Sequence, residues 1–157
     1  MVSETTGLAL GAYFISQQIV TYAITDATSS IYTSISNIFC YSSYVDNVIL
    51  ELDVQTKLKA IETILEEIGS LTFNTCPKTI HLCIENIHDM ILNIKADFCC
   101  IEKKIKLHRE KWLSGYRSLG VVRELKLLTL HSKLLDNRYD MLVKTLALAS
   151  IENIKNV

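Results

Sequence analysis

Lysine and arginine are missing from the first 56 residues of this 157-residue chain; all sixteen lie from Lys57 onward, against five acidic residues (Glu4, Asp26, Asp46, Glu51 and Asp53) in the first part. The two parts of the chain therefore meet different surroundings. A net charge of -1 argues against nucleic acid as a general partner, because a domain that grips phosphates is clearly basic. Proline occurs once and glycine five times, while apolar residues make up 49% of the chain, which excludes disordered and collagen-like classes. The length fits one domain, 1–157, with a charge-poor segment over 1–45 and a helical core over 46–157.

Also missing are a C-x-x-C pair, a cleavable leader and an N-glycosylation acceptor. The five cysteines (Cys40, Cys76, Cys83, Cys99 and Cys100) are thus expected to be small buried side chains in an intracellular, reducing compartment. The phosphate-binding, dinucleotide-binding, nucleophile-elbow and zinc-protease motifs are absent as well, so no residue pattern argues for an enzyme or a cofactor.

What is present is helical periodicity. From Ile80 the apolar positions run Ile84, Ile87, Ile91, Ile94, Phe98, Ile101 and Ile105, then His108 and Trp112, in alternating steps of four and three. This predicts a helix over 77–114, with Pro77 in its first turn and Gly115 as its left-handed cap. After a short link the pattern resumes at Val121, Leu125, Leu128, Ser132, Leu135, Tyr139, Leu142, Leu146 and Ala149, predicting a second helix over about 118–153. Two such helices joined by a short link should form an antiparallel hairpin. The expected register sets Trp112 against Val121, His108 against Leu125, Ile105 against Leu128, Phe98 against Leu135, Ile94 against Tyr139 and Ile87 against Leu146.

Leu127, Leu130, Leu134, Met141 and Leu148 form a further apolar stripe on the last helix, wider than a two-helix seam needs. The expected cover is a helix at about 44–68, built on Val54, Leu58, Ile61, Leu65 and Ile68 and opened by a capping box at Ser43 and Asp46. The fold class is therefore all-α: a long helical hairpin packed with this helix and an N-terminal helical segment, together an elongated bundle.

The N-terminal segment has two uncharged windows, 5–25 and 27–45, each long enough for a bilayer. Gln17 and Gln18, the Ser/Thr/Tyr content of the second window and the absence of flanking basic residues weigh against insertion. Gly7 and Gly11 allow close backbone approach, and with Phe14, Ile15 and Ile19 they are the candidates for packing or membrane contact.

Two other groups carry chemistry. His81, Glu85 and His88 have the spacing of metal ligands on one helix face, although di-iron bundles need a second such motif and none occurs. The hairpin tip gathers Lys103, Lys104, Lys106, Arg109, Lys111, Arg117 and Arg123 around Trp112 and Tyr116: a solubilising end for the hairpin or a grip for phosphates or an acidic surface, of which a protein partner is the functional reading preferred. The reading with most support is a non-enzymatic structural, scaffold or adaptor component of a multi-protein assembly. Its partners would be the other protein chains, with membrane contact through the N-terminal segment as the alternative and a helical metal protein as the second. The surplus of isoleucine and asparagine is the usage of AT-rich genomes, including those of large DNA viruses, so a virus particle is one such assembly.

Overall fold

The computed structural model describes residues 4–70, 78–111, 115 and 118–155, with side chains over 19–69, 78–111, 115 and 118–151. Among the described residues five α-helices follow in order: α1 (Glu4–Ile38), α2 (Ser43–Leu52), α3 (Val54–Ser70), α4 (Lys78–Arg109) and α5 (Val122–Lys155). No strand occurs among the described residues, and the all-α bundle expected from the periodicity is what forms.

The central element is α4, which lies against α1 on one side and α5 on the other. Its seam of Ile80, Ile84, Ile87, Ile91, Ile94, Phe98, Ile101 and Ile105 is buried throughout, which is why an isoleucine-rich, four-three pattern is stable here as helix: packing outweighs the modest helix propensity of isoleucine. Polar contacts give the directions. Asp26 meets Lys95, Ser34 and Asn37 both donate to Glu102, and Tyr41 meets His108, so residue numbers on α1 and α4 rise together and the two helices run parallel. The carboxylate of Glu62 on α3 accepts from both Thr28 and Tyr32, which ties α3 to α1. On the other side of α3, the Lys57 ammonium donates to Ser132 (3.1 Å) and Asp136 (2.8 Å) of α5. Helices α1, α4, α5 and the α2–α3 pair thus form a four-cornered bundle.

The N-terminal segment, ambiguous in sequence, is one helix of 35 residues. From Ile24 onward it buries Ala27, Thr28, Ile31, Ile35 and Ile38, so the second uncharged window belongs to the bundle core. No described helix is long and apolar enough to cross a membrane.

Several expectations are corrected. The helix at 44–68 is two helices, because Asp53 takes a left-handed backbone (φ 46°, ψ 41°) that closes α2 before α3 begins at Val54. The capping box does not form: Ser42, not Ser43, precedes the first turn and makes no side-chain cap, while the Asp46 carboxylate reaches back to the Cys40 backbone N–H at 3.2 Å. Helix α4 ends at Arg109, so Gly115 lies beyond the helix it was expected to cap. Close to that end α1 stops at Ile38, and His108, held by Tyr41, is the last buried residue of α4. Pro77 lies outside the described residues. Of the four described cysteines Cys83 is buried, while Cys40, Cys99 and Cys100 are exposed and unbridged; Cys76 lies outside the described residues.

The antiparallel hairpin of α4 and α5 forms, but its register is shifted. Asp97 meets His131 rather than Asp136, Lys104 meets Glu124 rather than Thr129, and Cys83 meets Thr145 rather than Ser150. All three contacts lie on the flank of the hairpin and sum to 228, against 233 for the expected level of the seam, so the register differs from the expected one by more than one helical turn. A seam repeating every three or four residues can be reseated one layer along with nearly the same apolar contacts. The polar flank, where Lys104 bonds both Glu124 (2.9 Å) and the Gly120 carbonyl (3.0 Å), distinguishes the two registers.

Candidate interaction surfaces

The tip of the hairpin carries most of the expected basic candidates. Lys103, Lys106, Arg109, Lys111 and Arg123 are exposed there. Lys104 is half-buried and bonds both the Glu124 carboxylate and the Gly120 carbonyl. The Arg109 guanidinium lies 4.6 Å from the centre of the Tyr41 ring, whose hydroxyl is hydrogen-bonded to Nδ1 of buried His108. This cation–π and hydrogen-bonded cluster closes the end of the α1–α4 pair and holds part of the basic surface in place. Trp112, Tyr116 and Arg117 lie outside the described residues.

On α1, the backbone places Gly7, Gly11, Phe14 and Ile15 within the helix, and their side chains lie outside the described set. Ile19 and Tyr22 are exposed, at 62% and 77%, and so contribute nothing to the core.

The His81, Glu85 and His88 set is not drawn together. Nε2 of His81 pairs with Glu85 at 3.1 Å, whereas His88 turns to Asp89 at 3.8 Å. Among the described residues no group of three metal-ligating side chains converges.

The polar site that periodicity did not reveal is inside the hairpin. Asp97, one residue before Phe98 on the seam, is buried and hydrogen-bonded to Nδ1 of His131 at 2.6 Å. Burial pushes its carboxyl pKa up from the ordinary 3.8 because the charged form loses water; the His131 ring opposes this, and the nearby Glu124 charge adds to it. Glu124 moves the other way, held below the usual range by its hydrogen bond from Lys104. Across the bundle, burial and the facing Glu62 carboxylate push the Tyr32 phenol up to about 12. The signal for Asp97 and His131 was present as one acid and one histidine, each on a polar position beside its own seam, but pairing them needs the register.

The largest surprise is the outer face of α5. The stripe at Leu127, Leu130, Leu134, Met141 and Leu148 was expected to be covered by the helix at 44–68. Instead α3 approaches the flank of α5 marked by Ser132, Asp136 and Tyr139, where Lys57, Ile61, Asp136 and Tyr139 line a partly open cleft of about 240 Å³. The stripe faces outward: Leu130 is 51% exposed, Met141 50% and Leu148 65%, with Leu127 exposed and Leu134 half-buried beside them. Leu82 and Leu107 of α4 are exposed too, and helical geometry places them on the α5-facing side of that helix's outer surface.

The chain is similar to an uncharacterized protein of Acanthamoeba polyphaga mimivirus, 28% identical over 160 aligned residues that cover 85% of this chain and 77% of that protein. No protein-family model and no solved structure matches. The similarity hints at a viral origin, and the relative carries no assigned function.

Proposed function

We propose that this protein is a non-enzymatic helical building block, a scaffold or adaptor held among other chains of a multi-protein assembly, and that the assembly is a virus particle. The observation that carries this reading is the outward apolar stripe of α5, which the bundle leaves without a cover. Contiguous exposed apolar surface is costly in an isolated protein and is the usual mark of an interaction site. The basic tip, fixed by the Tyr41, His108 and Arg109 cluster at the end of the bundle, supplies a second, differently charged contact surface. Similarity to a mimivirus protein supports the choice of particle.

The experiment is sedimentation of the tagged chain, expressed at native level in its own biological source. A building block migrates in a large complex at fixed stoichiometry with other chains and is recovered in purified particles. Migration as a free chain of 17.8 kDa, absent from particles, would refute the proposal.

A further inference from the structure

Leu127, Leu134, Met141 and Leu148 are spaced seven residues apart, and all four lie on the outward face of α5. A seven-residue repeat on a helix surface matches a second helix packed at a shallow angle, because only a left-handed supercoil keeps such positions in contact over several turns. Leu130 broadens the stripe at one end, where Val122, Arg123, Lys126, Leu127 and Leu130 line an open depression of about 540 Å³. That is room for one large apolar side chain of an incoming helix.

The charges beside the stripe choose the partner. Along α5, Arg123, Lys126, Lys133 and Lys144 are exposed around it, against Asp140 as the exposed acid over the same turns. On the adjoining surface of α4 the exposed charges balance, Lys78 and Lys103 against Glu85 and Asp89, so the basic border is that of α5. In a two-fold pairing of this face with a second copy, the same patch meets itself, so a basic border would face a basic border. An acidic helix meets Arg123, Lys126, Lys133 and Lys144 with opposite charge.

We propose that the outer face of α5, with the adjoining edge of α4, is the docking site for an acidic amphipathic helix of another protein. The incoming helix presents leucine-like side chains every three to four residues to the Leu127–Leu148 stripe and glutamate or aspartate to the lysines beside it. This assignment rests on the assembly reading above and names the chemistry of one of its contacts.

The test uses the full chain and two synthetic 28-residue helical peptides. Both carry leucine at the first and fourth positions of each heptad; one carries glutamate at the flanking positions and the other lysine. Binding is followed by fluorescence anisotropy at 50 mM and 500 mM salt. The glutamate peptide should bind at least ~10-fold more tightly than the lysine peptide and weaken several-fold at high salt, as exposed charge pairs do. The double variant Leu134→Gln, Met141→Gln should lose at least ~10-fold in affinity with its helical circular dichroism and melting temperature retained. These positions are outside the core, so the substitutions leave the bundle intact. Lys126→Glu, Lys133→Glu should reverse the preference towards the lysine peptide. Equal binding of both peptides, binding of neither, or an unaffected double variant would overturn the assignment. So would a dimer in sedimentation equilibrium that Leu134→Gln, Met141→Gln dissolves, since the occupant would then be a second copy. If the native chain co-sediments with its complex while the peptide result is negative, the docking assignment falls and the assembly reading stands. A chain that sediments alone removes the assembly reading itself.

Discussion

Asp97 is an acid placed where an apolar residue would cost less, and its consequence is a dependence of stability on pH. A carboxyl whose folded pKa lies above its ordinary 3.8 keeps its proton more readily in the fold. The stabilisation this supplies is complete below pH 3.8 and is lost as the pH rises through the raised value. Glu124 works in the opposite sense: its lowered pKa gives stability that is present above 4.5 and lost as the pH falls through the lowered value. In urea unfolding followed between pH 3.5 and 7, Asp97→Asn should therefore remove a downward component that the unmodified protein shows above pH 4, because the amide has no proton to release. Parallel profiles for the two proteins would show that Asp97 ionises in the fold as it does in the unfolded chain. Asp53 is the second residue with an outsized effect. Its left-handed backbone is tolerable for aspartate, asparagine and glycine but strained for a β-branched side chain. Asp53→Val is expected to lower stability by about 1–2 kcal/mol, while Asp53→Asn stays within about 0.5 kcal/mol; equal effects in chemical denaturation would contradict the strain.

Among the elements, the hairpin separates what periodicity can encode from what it cannot. The four-three spacing identified the buried face of α4 from Ile80 to Ile105 and of α5 from Leu125 to Ala149, since only a helix gathers such positions on one side. It could not fix the register, because sliding one seam past the other by about a turn leaves isoleucine against leucine. Hydrogen bonds between unlike groups do not permit that slide, and the Asp97–His131 and Lys104–Glu124 pairs became informative only once the two helices were in place. Paired cysteines give a direct check in a background freed of native cysteine. Asp97→Cys with His131→Cys should cross-link on mild oxidation, and Asp97→Cys with Asp136→Cys should not; the reverse would restore the register expected from the sequence. The same limit explains the outer stripe. Its width was visible as surplus leucine, but whether α3 or another molecule covers it depends on which flank of α5 α3 reaches, and Lys57 with Asp136 sets that flank. Asp53 hid differently: the preference of aspartate for caps and turns is a weak signal, and an apolar pattern that resumes at once at Val54 masked the break.

For the whole molecule, the parallel course of α1 and α4 decides where the ends lie. The start of α1, the start of α4 and the end of α5 share one end of the bundle, and the basic tip with the α1–α2 corner lies at the other. Helix α4 alone, at 32 residues, spans about 48 Å between them. Fluorophores at positions 4 and 155 should therefore transfer energy efficiently, and fluorophores at 4 and 118 only weakly. Comparable transfer in the two pairs would refute the parallel arrangement.

That parallel course also gives the molecule a direction. A rod whose two ends were alike could be laid down either way round, and chains built from it would have no sense of up and down. Here one end carries the start of α1 and the end of α5 and the other a cluster of cations, so each copy placed in a lattice points somewhere. A shell or filament made with it inherits an inside and an outside, and the first turn of α1 and the last turn of α5 are presented on the same side.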